Sequence, residues 1–556
     1  MKIKLLIFSL VLFVTANAQS QSFLWAKAAG GTNNDEGNSI ATDANGNVYV
    51  TGRFQSPSIT FGTTTLTKVG TLDFFIVKYD ASGNVLWAKG AAGTKDDVGQ
   101  SIATDANGNV FVTGYFYSPS ITFGTITLMN SSIADDIFVV KYDASGNVLW
   151  AKSEGGTGYE DGQSIATDAN GNVFVTGHFS STSISFGTTT LTNTSSPAGE
   201  IFVVKYDSSG NVLWAKIGGE SPLTERVNSV TTDANGNAYV IGSFYHSSIW
   251  FGTINLTKTT TTESDLFVVK YDASGNVLWA KVEGGAGNDD GRSITTDANG
   301  NVFITGYFKS PSITFGTTTL MNVGTSIGSL NIFVVKYDSI GNALWAKGAG
   351  ENDAEIANGI TTDANGNAYV TGTFNSSSIS FGTNTLTKTG STYYSDIFVV
   401  KYDSSGNVLW AKGVGGTDSE TGFGITTDAN GNVFLTGYFY SPSITFGTTT
   451  LTNTGGSLFV TKLGGSVTGI DDLSYNSKIK IFPNPFSSST TLQANENLKD
   501  ATLIVYDSFG QAVKEIKNIS GKTITFSRNN LASGVYFIQL KEGNKIYVHK
   551  LVIFDK

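Results

Sequence analysis

Ser101-Ile102-Ala103-Thr104-Asp105-Ala106-Asn107-Gly108-Asn109-Val110-Phe111-Val112-Thr113-Gly114 reads as two short apolar runs joined by a polar turn. The runs predict two antiparallel strands, A and B. Asn107-Gly108 predicts a type I′ turn between them, because both central residues of that turn need positive φ. Ser-Pro-Ser, Ile121-Thr122-Phe123-Gly124 and a Thr-rich stretch follow. Ile137-Phe138-Val139-Val140-Lys141-Tyr142-Asp143 predicts a third strand, C. Ser145-Gly146-Asn147 turns it into a fourth, D, at Val148-Leu149-Trp150-Ala151-Lys152. Strands C and D are apolar on both faces, as expected where sheets stack face to face.

The Asp of D-A-N-G-N recurs at 43, 105, 168, 233, 297, 363 and 428, at intervals of 62 to 66 residues. Such a period marks a propeller or a solenoid. The ends of the repeat region separate the two. Phe23–Lys27 is a fourth strand with no third strand before it, and Leu458–Lys462 is a third strand with no fourth after it. Pairing them completes the last unit. The expectation is an all-β chain whose residues 19–463 form a seven-bladed β-propeller closed by its N-terminal strand. Each fourth strand carries one Trp, at 25, 87, 150, 214, 279, 345 and 410, read as packing between blades. A Lys ends each of these strands (27, 89, 152, 216, 281, 347 and 412), where it discourages edge-to-edge pairing.

Composition agrees. Only 14% of residues are charged, Gly numbers 65, and there is no Cys, which excludes disulfides, thiolate nucleophiles and Cys-zinc sites. Residues 19–469 carry 22 Lys and Arg against 37 Asp and Glu, an acidic body that disfavours nucleic acid. Residues 1–18 read as a signal peptide, with Lys2 and Lys4, an apolar core from Leu5 to Val14, and Ala16-Asn17-Ala18 as the cleavage site. That core is too short to span a bilayer, and no other segment predicts a transmembrane span. Residues 464–477 read as a linker. Residues 478–556 predict a small Ig-like β-sandwich, with strands at Ala501–Tyr506, Val513–Ile516, Thr523–Phe526, Val535–Leu540 and Ile546–Ile553.

Strand alternation puts the tight A–B and C–D turns on one face and the longer B–C and D–A connections on the other. Long loops on a rigid frame are where function concentrates. The D–A connections carry Asp35-Glu36, Asp96-Asp97, Glu160-Asp161 and Asp289-Asp290, with looser versions at Asp353/Glu355 and Asp418/Glu420. The fourth unit departs, with Glu220 and Glu225 in a longer loop. A carboxylate ring at the channel mouth suits Ca²⁺, the one cofactor suggested; a solvated acidic rim is the alternative. In the segment T-G-x-F the third position varies: Arg53, Tyr115, His178, Ser243, Tyr307, Thr373 and Tyr438. The residue after the Phe includes Tyr117, Tyr245, Lys309 and Tyr440. The six tyrosines among these are candidates for stacking on a sugar, against plain packing between blades. Only three His are present, 178, 246 and 549, none beside a nucleophile motif, so no catalytic residue is assigned.

Two resemblances add to this reading. Ile481-Phe482-Pro483-Asn484-Pro485-Phe486, Val505-Tyr506-Asp507-Ser508-Phe509-Gly510-Gln511 and Leu531–Leu540, running into Lys550-Leu551-Val552-Ile553-Phe554, resemble the C-terminal sorting domain of the type IX secretion system. The resemblance implies contact with that machinery through residues 478–556, and a secreted or surface location. Asp43–Gly52 and its copies resemble the β-propeller repeat family called SBBP, which implies no catalytic residues. The expected function is binding or adhesion on the long-loop face, with a glycan or a protein as ligand. An extracellular carbohydrate- or peptide-active enzyme using the acidic rim, and a structural surface-layer component, stay open.

Overall fold

The computed structural model describes residues 21–464 and 479–555, apart from short stretches at 92, 195–197, 219–224, 259–262, 325–327, 392, 454, 508–510 and 543–544. The segments read as signal peptide and, beyond Gly464, as linker lie outside the described residues. Two compact units divide at Gly465/Ser466. No helix is assigned among the described residues, and none is long and apolar enough to cross a membrane.

Among the described residues the first unit contains seven four-stranded antiparallel sheets, numbered here by their innermost strands. In sheet 2 the order is Asp97–Thr104, Val110–Phe116, Asp136–Tyr142 and Val148–Glu154, the predicted A to D. Strands B and C are buried almost throughout, which their runs of Val, Ile and Phe require. Sheet 7 takes its fourth strand from the other end of the chain. Phe23–Gly31 pairs with Gly456–Leu463, with Trp25 opposite Lys462 and Lys27 opposite Val460.

The A–B turn differs from the expected type I′. Gly108 alone has positive φ (78°). Its N–H donates to Asp105 O, and Asp105 N–H donates to Asn109 O, at 3.0 Å each. Asp105 Oδ1 accepts the N–H groups of Asn107 and Asn109. The result is a three-residue turn, a type I bend followed by a left-handed glycine. Asp holds the bend through its side chain, so Asn107 needs no positive φ. The same D-x-x-G-N device closes the C–D turns, as at Asp143 and Gly146.

The B–C connections are not free loops. Each contains a two-stranded hairpin, Ser58–Phe61 with Thr64–Thr67 in sheet 1. The hairpin lies against the outermost strand of its own sheet and that of the sheet before. Its I-x-F alternation explains why: Ile59 and Phe61 are buried in the core between sheets while Thr60 faces outward.

Sheets pack in chain order through their innermost strands, and that of sheet 7 packs on that of sheet 1. Seven threonines stitch these strands. Thr104 Oγ1 donates to Thr42 O, Thr167 to Thr104, Thr232 to Thr167, Thr296 to Thr232, Thr362 to Thr296, Thr427 to Thr362, and Thr42 to Thr427, at 2.7–2.9 Å. The cycle is complete. Farther out, each Trp indole packs against its neighbour sheet, as Trp25 does on Tyr79. Six of the indole N–H groups donate to a C–D turn of the next sheet, as Trp87 does to Ala144 O. Trp410 Nε1 has no such acceptor among the described residues. Sheet 7 has no C–D turn to offer one, because its fourth strand is borrowed. In six sheets a buried Lys from strand C reaches the same place; Lys78 Nζ donates to Ala144 O and lies over the Tyr49 ring.

The second unit is one five-stranded sheet by pairing: Ile479–Phe482, Ser489–Tyr506, Gly534–Glu542 and Lys545–Ile553 in order, with Ala512–Ser527 also on Ser489–Tyr506. Two expected short strands, Val513–Ile516 and Thr523–Phe526, are parts of one long bent strand, and the Ala501–Tyr506 run begins earlier than predicted. Register shifts near Leu498 and Ala501 bend the long pair. Phe486, Leu503, Phe526, Ile538 and Leu551 build the core.

Candidate functional site

The acidic pairs divide into two roles. One carboxylate per D–A connection, at the head of strand A, is buried: Asp35, Asp97, Glu160, Asp289, Glu355 and Glu420. Each accepts the N–H of the residue four positions earlier, as Asp35 does from Gly31 (2.8 Å) and Asp97 from Gly93 (2.6 Å). Each also bonds a serine 21 residues later: Ser56, Ser118, Ser181, Ser310, Ser376 and Ser441. These carboxyls fasten the loops. Burial pushes Asp97 up to about 7, with Asp73 adding to it, Asp289 to about 6 and Glu420 to about 7. A second set, including Asp73, Asp136 and Asp396, fastens the B–C connections in the same way.

The other acids lie nearer solvent, apart from Asp290, which is also buried. Glu36 pairs with Arg53 (2.9 Å). Asp161 faces His178 Nδ1 at 3.1 Å; burial opposes its ionisation, yet His178 and Gln163 hold it below the ordinary carboxylate range. Asp290 pairs with Arg292 (3.0 Å) and accepts the Asn228 amide. Asp353 is exposed, while Asp96 and Asp418 are half-buried. No group of three or more His, Asp or Glu among the described residues is arranged to hold a metal ion. Glu220 lies outside the described residues. Glu225, before sheet 4, is fully buried.

The variable T-G-x-F residues stand opposite the second residue of each acidic head. The register pairs Glu36 with Arg53, Val98 with Tyr115, Asp161 with His178, Arg226 with Ser243, Asp290 with Tyr307, Ile356 with Thr373 and Thr421 with Tyr438. Of the aromatic candidates, Tyr438 packs with Tyr440 and Phe423, Tyr307 lies under Arg292, and Tyr117 lies under Lys95. Tyr115 and Tyr245 are half-buried.

A further set was not read from the sequence. Every strand A has a register shift two residues past its head, as between Gly99 and Ser101. The bulged residues are Asn38, Gln100, Gln163, Asn228, Arg292, Asn358 and Phe423, and all seven line one cavity of about 360 Å³ together with Glu36 and Arg53. A bulge re-aims a side chain, here toward the axis of the seven inner strands. Three of the amides also bridge sheets: Asn38 Nδ2 donates to Gly99 O, Asn228 to Gly291 O and Asn358 to Gly422 O. The signal was available in the repeats. Aligned on the acidic head, they hold the first position acidic and vary freely at the second and fourth.

Matches to known proteins follow this geometry. Residues 480–554 match the model of a secretion system C-terminal sorting domain. Residues 24–53, 90–115, 279–307 and 345–379 match a β-propeller repeat. An uncharacterised WD repeat-containing protein of Acanthamoeba polyphaga mimivirus is 27% identical over 508 residues, covering 76% of this chain and 36% of the relative. The regulatory protein FlaEY of Caulobacter vibrioides is 24% identical over 324 residues, covering 54% of this chain and 33% of the relative. The chain thus spans about a third of the length of these curated relatives. Among solved structures, the Neurospora crassa Pan2 WD40 domain aligns at 10% identity and a TM-score of 0.38, over 80% of this chain and 96% of that one. The sorting-domain match indicates export by the type IX secretion system. The chain thus carries four matches to the SBBP β-propeller repeat and, at its C-terminus, one to a type IX sorting domain.

Proposed function

We propose that the first unit is a closed seven-bladed propeller, delivered to the cell surface or the medium, that works as a non-catalytic binding module. Its ligand seats where strands A begin and strands B end, over the cavity of bulged residues. The tail, read as a small β-sandwich formed where its two long strands bend, engages the export machinery. One observation carries the binding role. The strands of the repeats are near copies, and the strand positions whose side chains change in size, charge and polarity include those that surround this cavity. Variation among residues held on a common frame and facing one cavity is what a specific ligand demands. Carboxamides both donate and accept, and Phe423, Tyr438 and Tyr440 add flat apolar faces, a combination suited to a hydroxyl-rich glycan.

Turnover is disfavoured by the state of the acids. In six of the seven sheets the raised carboxyl at the strand head is buried and held by N–H and O–H donors, so it does not face a substrate. A glycan array and a hydrolysis assay on the same sugars test the reading. Binding without turnover, lost in Phe423→Ala or Tyr438→Ala and kept in Asp96→Asn, supports it. Hydrolysis abolished by Asp96→Asn or Asp290→Asn would replace it with the enzyme reading.

A further inference from the structure

Sheet 4 breaks the loop-fastening rule. At the place of the serine 21 residues after the acid it has His246, and its acid is Glu225. Glu225 is 0% exposed, and neither carboxyl oxygen has a hydrogen-bond partner among the described residues. A buried polar group left unmatched is destabilising, so such a group calls for an explanation. The six equivalent acids show that the fold can satisfy this carboxyl when the sequence supplies the donors.

Glu225 forms part of the wall of a cavity of about 510 Å³ between sheets 3 and 4, within the range of small-molecule sites. Asp135, Glu160 and Asp161 share that wall, as does Tyr159, which is 66% exposed. Little positive charge answers them. His178 Nε2 accepts the Val227 N–H at 3.0 Å, which places a ring proton on Nδ1, toward Asp161. Arg226 is exposed and forms no ion pair among the described residues. Burial, then Asp161, Asp96, Glu160 and Asp136, push Asp135 up to about 6. Burial, then Glu200, push Glu225 up to about 9.

We infer that this cavity binds a small organic cation bearing primary ammonium groups. An ammonium brings three donors to carboxyl oxygens that have too few, and the Tyr159 ring offers a face for cation–π contact. A diamine or triamine fits the volume. The inference rests on the binding-module reading and names the ligand class of one cavity on the same face.

Calorimetry on the full chain with spermidine and putrescine as probes tests it. Saturable binding is expected at pH 7, with a heat that differs between phosphate and Tris buffers, because pairing Glu225 with a cation releases a proton. Glu225→Gln should weaken affinity at least tenfold and remove the buffer dependence. Its melting temperature serves as the control for folding. Arg226→Ala should tighten binding. Asp353→Asn, a carboxylate that does not line this cavity, should change nothing. Absence of binding, or equal losses in Glu225→Gln and Asp353→Asn, would overturn the inference. Glycan binding kept in the absence of amine binding would overturn it alone; loss of both would take the binding-module reading with it.

Discussion

At the scale of single residues, the loop ends show how one carboxylate is told from its neighbour. Asp96 and Asp97 are equivalent in composition, yet Asp97 is sealed among N–H and O–H donors and Asp96 is half-buried. The pairs were legible in the sequence, but their division was not, because it depends on which residue begins the strand. The serine 21 positions later was the missing clue. The glycine of T-G-x-F obeys a similar constraint. A Cβ on Gly114 would sit 1.9 Å from Val98 O, the carbonyl displaced by the bulge. Gly114→Ala should therefore lower the melting temperature sharply, whereas Gly155→Ala meets only a side chain, Asp136, and should cost less. The threonine cycle predicts a smaller effect. Thr104→Val removes one link at nearly constant volume and should cost about 1 kcal/mol in chemical denaturation, with Thr104→Ser close to wild type.

At the scale of elements, strand order and the pairing of Phe23–Gly31 with Gly456–Leu463 followed from counting runs and noticing two incomplete units. The hairpins of the B–C connections did not. Four-residue strands rich in Thr carry a weak signal, and only their packing on the outer strands fixes them. The long bent strands of the tail were split for a related reason: turn-like residues at Asp500 and Asn518 adopt positive φ where the register of the long pair shifts. Removing residues 19–31 should expose the edge of Gly456–Leu463 and drive self-association, read by sedimentation velocity; a monomer of unchanged stability would contradict the closure.

At the scale of the whole molecule, the buried acids set a pH profile. Asp97, Asp289, Glu420 and Glu225 have folded-state values raised above their unfolded ones. The native state therefore holds more protons, and stability falls as pH rises from about 4 toward 7 and, for Glu225, toward 9. For the turn carboxylates Asp80, Asp143 and Asp207 desolvation is outweighed by the combined hydrogen bonds of their Asn partners and the turn N–H groups, which hold them low, so they act in the opposite sense only below about pH 4. Melting should be higher at pH 5 than at pH 8. Added Ca²⁺ should leave the midpoint unmoved, because one member of each acidic pair is already saturated; a clear rise would show that a site exists.

The borrowed strand also has a consequence in time. Residues 23–31 are made before the other strands of this unit, and their partner at 456–463 emerges only after the strands of every other sheet have been made. Joining ends so distant costs about 2 kcal/mol more entropy than joining one repeat to the next. Until that late junction forms, six sheets can be assembled while the seventh waits, so the ring is latched last and the chain stays openable for as long as its far end is missing.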